Sequence, residues 1–238
     1  MMNYQPEGKL LNTIVNKSYL KNIASFNEAI EQNITLEAKV VRCDSDHNLI
    51  LDLPFGKGII PRLEGAVGID DGSTKDIALL SRVNKSVCFK PMCVETDCDG
   101  TIVAILSRKL AQQECLREYI RTLDCGQIIP ARVTHIEPFG CFVDIGCGIP
   151  SLIPIDAISI SRISNPSDRF YNGQEINVIV KSVEGNRVCL SHKELLGTWE
   201  ENVMNFNVGE TVAGIVRSVE NYGIFIELAP NLAGLAEP

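Results

Sequence analysis

A run of residues beginning at Gly126 recurs without a gap from Gly209, a constant separation of 83 residues. Across it Val133, Glu137, Gly140, Phe142 and Leu152 meet their own kind at Val216, Glu220, Gly223, Phe225 and Leu235, and Phe139 exchanges for Tyr222. Self-similarity at a fixed period means that one supersecondary unit is used more than once, so the fold has to be read repeat by repeat. A fainter copy lies upstream. Ala38-Lys39-Val40 and Ile59-Ile60-Pro61 fall on Ala131-Arg132-Val133 and Leu152-Ile153-Pro154, with Asp46 and Leu49 in the places of Phe139 and Phe142. This copy closes on Leu106-Ser107-Arg108-Lys109, as its successor closes on Leu190-Ser191-His192-Lys193.

Within the second repeat, residues 128–136, 141–145, 149–153, 176–183 and 188–190 are runs rich in β-branched side chains, separated by Gly, Pro and Asn. They predict five strands. The stretch 156–172 is too polar and turn-rich for a sixth and reads as a long connection between the third and fourth. Gly185-Asn186, and Asp99-Gly100 in the first copy, predict the hairpin joining the last two strands. Five strands in about 70 residues with a long third connection describe a small Greek-key barrel of the oligonucleotide-binding (OB) class. The fold class expected is all-β: tandem five-stranded OB barrels joined by short linker helices.

Between repeats the period changes. Leu116, Tyr119, Ile120 and Leu123 lie at helical spacing with no Gly or Pro before Gly126, which predicts a linker helix. Thr198 and Ser25 are each followed three positions later by glutamate, Glu201 and Glu28, the pattern of a capping box opening a short helix. The division that results is an N-terminal extension with a short capped helix (1–33), a degenerate first repeat (34–108), a linker helix (109–125), the second repeat (126–193), a short linker helix (194–208) and an incomplete third repeat (209–238) with residues for about three strands.

Composition narrows the ligand. With 22 Lys and Arg against 30 Asp and Glu, the net charge is −8, so the chain as a whole supplies no long-range attraction to a polyphosphate. Nine cysteines, an odd number without a CxxC pair, indicate reduced thiols and a cytoplasmic location. Cys88, Cys93 and Cys98 are five apart, which places Cys93 on the opposite strand face from the other two and speaks against a metal site. The histidines His47, His135 and His192 fall in different elements, and no glycine-rich stretch completes a phosphate loop. No catalytic residue, cofactor or small-molecule substrate is expected. No segment approaches the roughly 20 apolar residues that span a bilayer, so no membrane partner is expected.

The string Gly126…Val133, Ile136, Phe139-Gly140, Phe142-Val143, continued by Gly173-Gln174, Val178, Val180 and Arg187-Val188-Cys189-Leu190-Ser191 with Lys193, resembles the RNA-binding repeat of the S-one type, named after a bacterial ribosomal protein. The resemblance covers the second repeat and the visible part of the third. It implies an OB barrel that holds single-stranded RNA, messenger RNA at the ribosome during translation, in a bacterial cytoplasm. It also implies that a degenerate amino-terminal repeat docks on a ribosomal protein of the small subunit. Two positions depart from the family. Pro154 stands where RNA-binding members often carry histidine, and Val183 stands where they carry aspartate, with Glu184 beside it. Two other classes of function stay open: a protein-docking scaffold on the ribosome without RNA affinity, and an accessory region of a ribonuclease or other larger enzyme.

Phe139 and Phe142 are three apart, which on a regular strand sends them to opposite faces; Gly140 between them permits a bend or bulge that aligns both outward. Exposed, they are stacking platforms for bases, with Arg187 placed to clamp a phosphate. Buried, they are core. Tyr222 and Phe225 repeat the pair in the third repeat, and Arg162 and Arg169 lie in the long connection, within reach of a ligand crossing the barrel or simply solvated. The charges of the second repeat balance, so binding there leans on stacking. The first repeat lacks the aromatic pair, and its Ile59-Ile60-Pro61 suits a protein surface or the core.

Overall fold

A computed structural model describes residues 4–237, which form two compact units. The first comprises the chain up to Thr122 together with Gly146–Ile149. Two short helices, α1 (Ile14–Tyr19) and α2 (Ile23–Glu31), lead into strands β1 (Leu36–Cys43), β2 (Leu49–Leu53) and β3 (Gly56–Ile60). A long connection carrying the single-turn helix α3 (Ile77–Leu80) precedes β4 (Ser86–Thr96) and β5 (Ile102–Ser107), after which α4 (Arg108–Glu118) begins. The five strands close in the order β1-β2-β3-β5-β4, with β3 and β5 parallel, the Greek-key path of an OB barrel. Alternate residues fill it: Leu36, Ala38 and Val40 from β1, Leu49, Leu51 and Leu53 from β2, and Val87, Phe89, Ala104 and Leu106 from the last two strands. Phe26 of α2 and Leu79 of α3 plug the same core.

The entry to α2 differs from the sequence expectation. Asn22, not Ser25, is the N-cap, and its side chain accepts from the Ser25 N–H at 2.9 Å. Asparagine and serine cap equally well, and the earlier residue wins because starting at Ile23 adds most of a turn. The predicted box at Thr198 and Glu201 forms, with both reciprocal bonds present.

In the first unit Glu37 is fully buried and accepts backbone N–H bonds from Gly8, Leu10 (2.7 Å) and Leu11 (2.8 Å), which fastens the N-terminal segment along β1. Glu7, also buried, takes the Arg108 guanidinium at 2.8 Å. Gly146–Ile149 joins this unit through Cys147 N–H to Gln5 O (2.9 Å) and Gln112 Nε2 to the carbonyls of Cys147 (3.2 Å) and Gly148 (3.3 Å). Cys88, Cys115 and Cys147 are buried there with their sulfurs in hydrogen-bonding contact. Cys93 and Cys98 are exposed, so the Cys88, Cys93, Cys98 triplet does not converge.

The second unit comprises Leu123–Ile145 and the chain from Pro150. Strands β6 (Ile128–Glu137), β7 (Gly140–Asp144), β8 (Pro150–Pro154), β9 (Glu175–Glu184) and β10 (Arg187–Ser191) close in the order β10-β8-β7-β6-β9, the same path as the first barrel. After the short helix α5 (Trp199–Val203), strands β11 (Ile215–Glu220), β12 (Gly223–Ala229) and β13 (Leu232–Ala236) form a three-stranded antiparallel sheet. Asn231 anchors this sheet: its Nδ2 donates to Lys193 O (2.8 Å) and Gly197 O (2.7 Å), and its Oδ1 accepts from Ile160 N–H (2.9 Å). No helix among the described residues is long and apolar enough to cross a membrane.

Candidate nucleic-acid interface

The outer surface of the second barrel carries one row of side chains across five strands. His135 faces Phe142, Phe142 faces Leu152, Leu152 faces Cys189 and Cys189 faces Ser182. None of the five is buried, whereas Val133, Cys141, Val143, Ile153, Val188 and Leu190, which alternate with them, are. Phe139 lies in the turn just before β7, is 55% exposed, and meets Phe142 edge to face at 6.1 Å. Both rings are therefore on the surface, in one of the two placements the sequence left open.

The two rings share a face without the expected bulge at Gly140, because Phe139 stands in the turn ahead of β7 and outside its alternation. The irregularity sits on β6 between Val133 and His135, where Thr134 is the extra residue. Gly140 is regular strand, facing Pro154, and a Cβ on it would lie 2.4 Å from Ile153 O. Glycine is required there because β8 passes too close for any side chain.

Arg187 is exposed and shares the outward face of Cys189, two residues along β10; it stands two strands across from Phe142, with β8 between, and one row along on the side away from Phe139. It forms no ion pair among the described residues. Arg162 is likewise exposed. Arg169 is placed elsewhere: its guanidinium meets the buried Glu227 at 2.5 Å, Arg217 takes the other carboxylate oxygen at 2.5 Å, and Arg217 also pairs with Asp168 at 3.1 Å. The two guanidinium groups hold the Glu227 carboxyl below its usual range despite its burial. Sequence alone gives no sign of this, because Glu227 stands at the place of Asp144, an ordinary strand position.

His135 is the residue of this surface that the sequence did not single out. Its ring lies at 22° to Phe142 with centroids 6.5 Å apart, and its Nε2 is 2.7 Å from Glu137 Oε1. A search for catalytic constellations passes over a lone histidine, and only strand register puts it beside the aromatic pair.

Residues 123–193 match the model of the S1 RNA binding domain. Similar curated proteins include the small ribosomal subunit protein bS1 homolog of Bacillus subtilis, 33% identical over 150 residues (60% of this chain, 39% of that protein). Others are small ribosomal subunit protein bS1 of Leuconostoc lactis, 30% identical over 216 residues (88% and 48%), and of Staphylococcus aureus, 30% identical over 223 residues (90% and 54%). The chain belongs to the S1 domain family. It spans about half the length of the longer-matching relatives.

The three S1 repeats can be compared through strand pairing. In the third, Ser218 faces Phe225 and Phe225 faces Leu235, the row of His135, Phe142 and Leu152 at the same separation of 83, with the bulge again one residue before the row. Tyr222 is 61% exposed and meets Phe225 edge to face at 6.2 Å. The first S1 repeat corrects the sequence alignment. Arg42 faces Ile50, Ile50 faces Ile59, and Ile59 faces Ile105, so Ile50 and not Leu49 stands at the place of Phe142. Leu49 points into the barrel and is fully buried. The chain from Arg42 to its partner Ile50 is one residue longer than that from His135 to Phe142, and a one-residue slip exchanges the faces of a strand.

Proposed function

We propose that this protein binds single-stranded RNA through the aromatic faces of its second and third S1 repeats and that it acts, without catalysis, on messenger RNA at the small ribosomal subunit in the bacterial cytoplasm. The observation carrying the reading is the edge-to-face pair Phe139 and Phe142 on the outer surface of a closed OB barrel, reproduced by Tyr222 and Phe225. Exposed rings on such a surface offer every base a π face, and stacking contributes about 1 to 3 kcal/mol per base with little regard to sequence. Arg187 stands on the same outer surface, two strands across from Phe142 and one row along, as the residue to take a phosphate of an RNA strand crossing the barrel, and Arg162 is open to solvent at the long connection. The first repeat has Arg42, Ile50, Ile59 and Ile105 in the corresponding row. That row has no ring to stack on and its Ile50 is itself buried, so this repeat leaves RNA alone, and its proposed role is docking on a protein of the ribosome.

Anisotropy titrations of a labelled pyrimidine-rich RNA with the full chain test the reading. Phe142→Ala is expected to cost about 1 to 3 kcal/mol of affinity, and Arg187→Ala to weaken binding and flatten the salt slope by about one. If neither changes affinity, the second repeat does not use this face, and the docking-scaffold reading takes its place.

A further inference from the structure

We infer that His135 is a third ring of the RNA-binding surface and the one that gives it preference among bases; the inference rests on the aromatic face being the RNA site. Three observations combine. The imidazole occupies the strand position directly opposite Phe142, and its plane is within 22° of that ring at a centroid distance of 6.5 Å, so the two form adjoining, nearly parallel platforms. Its side chain is 60% exposed, which removes packing as the reason for its orientation. Glu137 holds the ring by Nε2 at 2.7 Å, leaving Nδ1 without a partner among the described residues.

The consequence is chemical. Phe139 and Phe142 have no polar edge, and a base stacked on them is held whatever its identity. An imidazole fixed by one nitrogen presents the other as a hydrogen-bonding group to the edge of a base lying over Phe142. The carboxylate at Nε2 fixes which way the ring faces, as a second hydrogen bond does for histidines generally. The other repeats lack this device: the same position is Arg42 in the first barrel and Ser218 in the third sheet. Base preference is thereby assigned to the second repeat alone.

The experiment compares labelled homopolymers of uridylate, cytidylate and adenylate, each about 12 nucleotides long, against the full chain and its variants, with a melting curve for each protein. His135→Ala is expected to weaken binding of the preferred homopolymer about 5- to 100-fold and to leave the melting temperature unchanged. His135→Phe keeps the ring and loses the nitrogen, so affinity stays within about threefold of the parent while the difference among homopolymers collapses. Unchanged affinity and preference in His135→Ala, beside a weakened Phe142→Ala, overturns the role of His135 and spares the site. A lowered melting temperature with unchanged affinity assigns the imidazole to the fold and also overturns it. If Phe142→Ala binds like the parent, the aromatic-face reading fails and this inference fails with it.

Discussion

At Glu37 the chain buries a carboxylate in a barrel strand and surrounds it with three backbone N–H groups. Burial pushes its pKa up to about 7, with the N–H donors opposing and Glu7 adding to the rise. Because the folded-state pKa is above the ordinary value of 4.5, the folded chain keeps this proton between about pH 4.5 and pH 7 while the unfolded chain releases it. The stability that this group contributes is full below the lower limit and is lost as pH rises through the upper one, by an amount on the order of 3 kcal/mol. Glu37→Gln should remove that fall. Urea unfolding at pH 5 and pH 8 checks it: the parent should lose more stability across the interval than the variant, and equal losses would contradict the assignment. Nothing in the sequence marks Glu37, which reads as an ordinary polar position in a strand. By contrast Phe139, Phe142, Tyr222 and Phe225 were legible because two copies put rings at the same two places. Surface charges were the hard part, since their partners lie far along the chain: Arg169 reaches Glu227, 58 residues away.

The hairpins and barrels were the most legible elements, because β-branched runs, turn glycines and a long polar connection recur in order. Register was less so. A strand's buried and exposed faces exchange with one inserted residue, and the longer β1–β2 turn is visible only once the pairing of Arg42 with Ile50 is known. The approach of β8 to β7 was likewise hidden, although Gly140 and its repeat-mate Gly223 announced that something required glycine. The two glycines meet the same obstacle: a Cβ on Gly223 would lie 2.7 Å from Ala236 O, as one on Gly140 would lie 2.4 Å from Ile153 O. Since the obstacle is backbone and not a movable side chain, Gly140→Ala must push β7 and β8 apart. The expected cost is about 1 to 3 kcal/mol, read as a lower melting temperature. RNA affinity should fall further than the folded fraction explains, because Phe139 and Phe142 ride on β7 and the turn before it. An unaltered melting curve would show that the strands separate without strain.

At the scale of the molecule, repeats in sequence and units in space do not coincide. A fragment of residues 1–125 contains every strand of the first barrel but lacks Gly146–Ile149, which belong to the same compact unit. It loses the two hydrogen bonds that Gln112 Nε2 donates to Cys147 O and Gly148 O and exchanges them for water, and each such bond contributes about 0.5 to 1.5 kcal/mol net. The fragment should therefore unfold at lower denaturant than the first unit does in the full chain, followed by hydrogen exchange of β1 and β4, and it should show no RNA binding in the anisotropy assay. Equal protection in fragment and full chain would mean the four residues contribute nothing to stability, and micromolar RNA binding would mean the aliphatic row is a nucleic-acid surface after all. The interleaving also changes what the repeat can be as a cassette. Repetition along a gene suggests parts that recombination can lift out at a helical joint and set down elsewhere, but a cut after α4 strands four residues of the first unit inside the second repeat. A shuffled descendant of this chain keeps the first compact unit whole only when both pieces, separated by more than twenty residues of another barrel, travel together.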